Sequence, residues 1–379
     1  MIAVIADDLT GAAELGGIGL RHGLRTEVRM RVGGGLVPGG SGAGDGPDLL
    51  VIAGDSRSKS EAAAVEEMST ITRQIQELQP EWIFKKTDSV LRGHVMAELR
   101  VHLDILQLPS ALLVPANPAL GRTIRAGHYY LNGRPIHHSA FSIDPEFPIL
   151  SPDVQDMLHT RSRPVELRRV EEELPERGIV VGEVQDANDL RVWARRLRPG
   201  MLAAGAAGFF SALLDRNFPM MAQEAINGHV FGSPLLFVSG STFDRSRNAI
   251  ARQRESGGPV SYIPVQPGGS WQELVAGMLQ KRGKAIVAID PAIHDRSAVE
   301  LRTMMATAVS GIIKQARPAE IIIEGGATAY AIFEATGWQT FVPEQELAPG
   351  LIRMRVGEAP GLFVTVKPGS YPWPDTITY

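Results

Sequence analysis

The feature that most constrains the fold is a recurring order of segments. A short apolar run stops at a polar or glycine-bearing turn, and a segment with helical spacing follows. The first case is Ile2-Ala3-Val4-Ile5-Ala6, which halts at Asp7-Asp8-Leu9-Thr10-Gly11 and leads into a helical pattern over residues 12–22. Short, continuous apolar runs alternating with helices are the mark of parallel strands buried on both faces. A strand is expected at 26–32. The run at 48–53 ends in Gly54-Asp55-Ser56-Arg57-Ser58 before a helix at 61–78, and the run at 82–86 ends in Thr87-Asp88-Ser89 before a helix at 94–106. A further strand at 111–114 ends in Pro115-Ala116-Asn117-Pro118. Residues 129–136 break the rhythm, because Asn132-Gly133 between apolar residues is a hairpin signal and predicts a small antiparallel flap. Strands at 178–184 and 201–204 then bracket a helix at 189–197.

A second alternation begins at Pro234. Strands are expected at 235–238, 260–265, 285–289, 320–323 and 362–366, with helices at 245–255, 271–281, 297–316 and 329–336. The expected fold class is therefore α/β, with two α/β domains of mostly parallel sheets facing a central cleft. The domains are placed at 1–215 and 234–379, joined by a linker at 216–233. Gly33 to Pro47, with eight glycines and two prolines in fifteen residues, lacks the strand before and helix after that a phosphate loop needs, and is expected to be a surface loop.

Composition narrows the function. The 379 residues carry a net charge of −4, which supplies none of the basic field that nucleic-acid binding or an anionic membrane would call for. Cysteine is absent, so disulfides, thiolate metal sites and a cysteine nucleophile are ruled out. The N-terminus has no basic stretch and carries two acids directly after its apolar run, which argues against a signal peptide. The longest apolar tract, Met201 to Leu214, is interrupted by Gly205 and Gly208 and is too short to span a bilayer. A cytoplasmic enzyme or binding protein for a small molecule is the expectation, with the oligomeric state left open.

Two constellations stand at the expected strand ends. In the first half these are Asp7, Asp8, Asp55, Arg57, Asp88, Arg92, Asn117 and Arg122. Arginine grips a carboxylate as a fork and aspartate accepts from hydroxyls, so this mix suits a small ligand bearing both groups. Either Asp7 or Asp8 could instead cap the next helix. Lys85 and Lys86 are consecutive on a strand, so only one can face the site, and Lys86 is taken as that one. In the second half, Ser239 to Thr242, Gly325 to Thr328 and Gly369-Ser370 are small-residue turns. They serve either as tight turns or as cradles in which backbone amides at a helix start meet phosphate. Neither GxxxxGK[ST] nor GxGxxG is present, and no HExxH or GxSxG occurs. His137-His138 reads as a surface pair in preference to a metal site.

Taken in order, Ile5-Ala6-Asp7-Asp8-Leu9-Thr10-Gly11-Ala12, Lys85-Lys86-Thr87-Asp88-Ser89-Val90-Leu91-Arg92-Gly93, Pro115-Ala116-Asn117-Pro118 with Gly121-Arg122-Thr123, Val238-Ser239-Gly240-Ser241, Gly325-Gly326-Ala327-Thr328 and Lys367-Pro368-Gly369-Ser370 resemble the serial motifs of the four-carbon acid sugar kinases. That family was long catalogued as a domain of unknown function, DUF1537. The resemblance implies an N-terminal sugar-acid domain, a C-terminal ATP domain, and MgATP-dependent phosphorylation of threonate, erythronate or a 3-oxo-tetronate. It places the acid near Asp8, Asp88 and Arg92, the catalytic candidates, and the strand-end reading adds Asp7, Asp55, Arg57, Lys86, Asn117 and Arg122 as further substrate contacts. The resemblance places the nucleotide against Ser241, Gly325, Gly326, Ala327, Thr328 and Gly369, to which the small-residue turns add Ser239 and Ser370, and it leaves the metal ligands open. Three positions depart from the family pattern: Ala327, the Thr242-Phe243-Asp244 run and Tyr371-Pro372-Trp373-Pro374. The rival functions are a nicotinamide-dependent oxidoreductase of sugar acids, which the missing GxGxxG disfavours, and a non-catalytic sensor of sugar acid or nucleotide.

Overall fold

The computed structural model describes residues 1–32, 46–144, 146–162, 164–221, 229–241, 243–293, 295–374 and 377. Most of the glycine-rich loop expected at Gly33 to Pro47 lies outside the described residues, as do 222–228 of the expected linker and Thr242 of the first small-residue turn. The chain divides into two compact units, Met1–Ala222 and Gln223–Tyr379.

The first unit opens with β1 (Ile2–Ala6), α1 (Leu9–Arg21), β2 (Thr26–Arg29), β3 (Leu49–Ala53), α2 (Glu61–Glu77), β4 (Trp82–Lys86), α3 (Val95–Leu106) and β5 (Ser110–Val114). A small antiparallel sheet follows, made of β6 (Arg122–Arg125), β7 (His128–Leu131) and β8 (Arg134–Pro135). Asn132 and Gly133 turn between β7 and β8 with φ of 50° and 75°, the left-handed pair that such a hairpin turn demands. The expected flap gains a third strand, β6. The unit ends with α4 (Val154–Met157), β9 (Glu166–Arg168), β10 (Gly178–Gly182), α5 (Ala187–Arg196), β11 (Met201–Gly205) and α6 (Ala207–Leu214).

The strand order of its main sheet is β2-β3-β1-β4-β11-β5-β10-β9, and every pairing is parallel. From β1 the chain runs outward one way to β2 and β3, then crosses back to β4 on the other side of β1. The crevice beyond the carboxyl ends of β1 and β4 is thus a topological switch point, the place where open α/β sheets bind ligands. β1 is buried along its whole length, as an apolar strand covered on both faces must be. Ala3, Ile5, Leu50 and Ile52 meet Met68, Ile71 and Ile75 of α2 on one face. On the other face Phe84 stacks against Phe209 and Phe210 of α6.

The second unit contains β12 (Leu235–Ser239), α7 (Asp244–Glu255), β13 (Val260–Ile263), α8 (Gly269–Arg282), β14 (Lys284–Ile289), α9 (Ala298–Ala316), β15 (Glu320–Glu324), α10 (Gly326–Thr336), β16 (Thr340–Ala348), β17 (Leu351–Val356) and β18 (Phe363–Lys367). The order β13-β14-β12-β15-β18 is parallel throughout and repeats the same topology, with its switch point between β12 and β15. β17 and β16 then add an antiparallel edge that the sequence pattern did not predict. Among the described residues no helix is long and apolar enough to cross a membrane.

Candidate active site

In the first unit the switch point gathers four strand-end motifs. β1 runs directly into Asp7 and Asp8, and α1 begins three residues earlier than its apolar spacing indicates because Asp8 caps it. Asp8 is extended (φ −149°, ψ 160°), and its carboxylate accepts from the Gly11 amide at 3.1 Å and from the Thr10 hydroxyl at 2.6 Å. Position 11 is crowded: a Cβ there would lie 2.6 Å from Asp8 Oδ1 and 2.8 Å from Lys86 Nζ. Lys86 therefore stands on the Asp8 side of the sheet, donating to the Thr87 carbonyl at 2.8 Å. Lys85, one residue earlier, points to the other face and is buried in an ion pair with Glu98 of α3 at 2.6 Å.

Arg57, brought in by the turn after β3, is the hub of this cluster. It donates Nε and Nη2 to Asp7 Oδ2 at 2.9 and 2.7 Å, and Nη2 also pairs with Asp8 Oδ1 at 3.0 Å. Its Nη1 lies 3.5 Å from Asp88 Oδ1. Its stem rests on Gly93, where an added Cβ would come within 3.0 Å of Arg57 Cγ, and Gly93 itself needs a φ of 85°. Asp88, after β4, takes the fork of Arg92, Nε to Oδ2 at 3.0 Å and Nη2 to Oδ1 at 2.9 Å, and accepts from the amides of Val90 and Arg92. Arg92 extends its remaining edge to Asp144 at 2.8 Å.

The charges of the three aspartates are set differently. Burial raises the proton affinity of Asp7, and Arg57 offsets it only in part, so its carboxyl stays above the usual range. Burial also works against ionised Asp8, but Arg57, Lys86 and the Thr10 hydroxyl outweigh it and hold its carboxyl below the usual value. Asp88 is buried too, and Arg92 with Arg57 reverses that effect and holds it well below the carboxylate range. Asp7 Oδ1 is buried with no hydrogen-bond partner among the described residues.

The remaining expected residues frame this cluster. Asp55 directs its amide toward Glu67 at 3.5 Å, two residues before Arg57. Asn117 is buried and exchanges backbone hydrogen bonds with Arg122. Arg122 donates to the Ser89 hydroxyl, and the Tyr129 hydroxyl donates to the Ser89 carbonyl, which ties the small sheet to the Asp88 turn. The Phe141 ring lies 5.4 Å from the Arg92 guanidinium and 5.5 Å from that of Arg122. Asp144, Ser89, Tyr129 and Phe141 are not among the residues expected from sequence. Beside Arg92 opens a cavity of about 590 Å³, lined by Leu91, Arg92, His94, Phe147, Ile149 and Met157 among others.

In the second unit the three small-residue turns come together. A Cβ on Gly240 would strike Thr328 Oγ1 at 1.9 Å, and one on Gly369 would lie 3.3 Å from Ser241 Oγ. Gly325 caps α10 with a φ of 110°, and Gly326, Ala327 and Thr328 form the first turn of that helix. Beneath them sits a buried ionic group absent from the expected site. Glu324 pairs with Lys367 at 2.9 Å and accepts from the hydroxyls of Ser239 at 3.1 Å and Ser246 at 2.7 Å. The Ser239 hydroxyl is thus engaged inside the protein. Ser370 follows Gly369 in the turn after β18.

Each unit carries polar turns at the switch point of a mostly parallel sheet, the arrangement in which α/β enzymes bind small molecules. Residues 2–213 match the family model described as sugar-binding N-terminal domain. The chain is 26% identical over 390 residues to the D-threonate kinase of Salmonella typhimurium, covering 91% of this chain and 89% of that protein. It is 24% identical over 414 residues to the 3-oxo-tetronate kinase of Pseudomonas savastanoi pv. phaseolicola, covering 98% and 94%. A crystal structure of a Haemophilus influenzae DUF1537 protein shares the fold, with a TM-score of 0.71 at 19% identity over 99% of this chain and 98% of that one. The chain belongs to the four-carbon acid sugar kinase family.

Proposed function

We propose that this protein transfers the γ-phosphoryl group of ATP to a hydroxyl of a four-carbon sugar acid of the threonate, erythronate or 3-oxo-tetronate type. The observation that carries the reading is the cluster of Asp7, Asp8, Asp88, Arg57, Arg92 and Lys86 at the β1/β4 switch point. Phosphoryl transfer asks chiefly for positioning and charge stabilisation, which such a cluster supplies. Asp8 is assigned to the accepting hydroxyl. It is held ionised, and its side chain is 15% exposed against 5% for Asp7 and 7% for Asp88, so it is the most accessible of the three. As the new O–P bond forms, the hydroxyl proton passes to that carboxylate. Arg92 is assigned to the substrate carboxylate. The turns at Gly240, Gly325 to Thr328 and Gly369 are assigned to the nucleotide phosphates.

The reading calls for Mg²⁺ bound with the nucleotide. Among the described residues no group of three or more His, Asp or Glu is placed to hold a metal ion, so no protein ligand is assigned to it. Use of ATP together with the absence of cysteine fits the cytoplasm. An ADP-release assay against D-threonate, D-erythronate and 3-oxo-tetronate tests the proposal. Turnover with one of them supports it, and Asp8→Asn should then remove turnover while leaving calorimetric nucleotide binding intact. No turnover with any of the acids, together with no ATP binding by calorimetry, overturns it.

A further inference from the structure

The turn after β18 is built in an unusual way. Its carbonyls are drawn onto two cations from different elements. Lys367 Nζ donates to the carbonyls of Pro368 at 2.8 Å and Tyr371 at 2.7 Å. Arg245, in the first turn of α7, donates Nη2 to the Gly369 carbonyl at 2.9 Å and to that of Tyr371. Among the described residues the amides of Gly369 and Ser370 donate to no acceptor. A peptide unit carries its C=O and N–H on opposite sides, so a turn whose carbonyls are held by cations presents its amides the other way. Successive outward amides form an anion-binding nest, and cations behind it remove the carbonyl repulsion a phosphate would otherwise meet.

The surroundings suit such a nest. Gly369 lies against Ser241, and its added Cβ would also meet the Phe243 ring at 3.5 Å, so the turn sits beside the end of β12. Glu324 holds Lys367 from below at 2.9 Å and fixes its direction. Arg245 is an exposed residue braced over the Phe243 ring at 5.8 Å, so its stem is oriented without being needed in the core.

We infer that Arg245 and Lys367 are positioning residues for the nucleotide: by binding the carbonyls of the 368–371 turn they aim the Gly369 and Ser370 amides at a phosphate group. This rests on the assignment of the second unit to ATP. It adds that the two cations act through the backbone and not by touching phosphate.

Arg245 is the residue to vary, because its exposure separates its role from folding, whereas removing Lys367 would leave Glu324 without its cation in the interior. In nucleotide-free protein, Arg245→Ala should speed hydrogen–deuterium exchange of the Tyr371 amide, which donates to the Pro368 carbonyl at 3.1 Å within the turn. The same variant should weaken ADP binding by calorimetry about tenfold, the effect of losing one charge-assisted contact. The KM for ATP should rise in proportion, with kcat at saturating ATP, the KM for the acid and the melting temperature near those of the parent. Arg245→Lys, which can still reach both carbonyls with one ammonium, should restore ADP affinity to within about threefold. Unchanged exchange in the nucleotide-free variant overturns the inference, since a cation that only touched phosphate would leave the free turn as it was. Unchanged ADP affinity overturns it as well. If the parent protein itself binds no ADP, the nucleotide assignment fails and the inference falls with it.

Discussion

Replacing Arg57 by methionine tests whether the acid cluster is held together as described. The Arg57 side chain is 13% exposed and faces Asp7 at 2.7 Å, Asp8 at 3.0 Å and Asp88 at 3.5 Å, carboxylates that are 5%, 15% and 7% exposed. At about 3 Å and an effective dielectric near 20, a single such pair is worth about 5 kcal/mol of Coulomb energy before desolvation is subtracted. Removing one partner from a buried ionic group costs about 3–5 kcal/mol, because the charges left behind are already desolvated. Lys86 and Arg92 remain beside Asp8 and Asp88, so Asp7 bears the largest loss. Urea unfolding of the full chain at pH 7, followed by tryptophan fluorescence, should show a loss of about 3–5 kcal/mol. The loss should shrink as pH falls. Without Arg57 the folded-state proton affinity of Asp7, already raised by burial, rises further above its unfolded value. A group of that kind favours the folded state below its unfolded pKa of about 3.9 and loses that contribution as pH climbs through its folded pKa. Asp7→Asn in the Arg57→Met background should recover part of the stability at pH 7. A loss under about 1 kcal/mol at pH 7, or one that grows toward acid, would refute the picture of Arg57 as the charge hub.

Three other outcomes follow from the same geometry. Lys85→Met strands the Glu98 carboxylate, whose side chain is 2% exposed, and should destabilise by about 3–5 kcal/mol in chemical denaturation, whereas Lys85→Met with Glu98→Leu should come close to the parent. Gly240→Ala sets a Cβ 1.9 Å from Thr328 Oγ1 and 2.8 Å from its Cβ, so it should cost about 1–3 kcal/mol and weaken calorimetric ADP binding, with no change expected in sugar-acid binding. Asp88 is held well below its ordinary range by Arg92 and Arg57 against burial, so its contribution is present above its unfolded pKa of about 3.9 and drains away as pH falls toward its folded value. Stability measured from pH 6 down to pH 2 should show that decline, and Asp88→Asn should flatten it.

The alternation of strands and helices was legible because each strand is a continuous apolar run that stops at a turn, and β1, β3 and β5 are buried along their whole lengths. What the pattern lacked was information about neighbours. Glu324 and Lys367 each look like the polar last residue of an apolar run, and only the parallel register that sets them side by side makes them one ionic group. The β16–β17 hairpin was missed for another reason. In β16, register irregularities at Pro343/Gln345 and Glu346/Ala348 break the period of two on which strand recognition depends, whereas Ile352 to Val356 of β17 keeps that period and was legible. The start of α1 lies earlier than the pattern indicates because Thr10 and Gly11 have poor helix propensity, and it is the Asp8 cap that brings them into the helix. In the candidate site the strand-end residues could be named from their positions. Asp144 could not, because it follows a 3-10 turn in a stretch with no periodicity and reaches Arg92 across 52 residues.

The consecutive lysines of β4 bear on how the sheet finds its alignment. If β4 slipped by one residue, Lys86 would take the place of Lys85 opposite Ile5 and could still neutralise Glu98, so the buried charge by itself would not reject the error. Phe84 would be displaced by a lysine beneath the aromatic rings of α6, where Phe210 now lies 5.0 Å away and no carboxylate is described as its partner. Fidelity of this pairing is therefore enforced by an aromatic ring on the face opposite Lys85, and Asp88 and Arg92 of the candidate site, which follow β4, inherit their alignment from that packing contact.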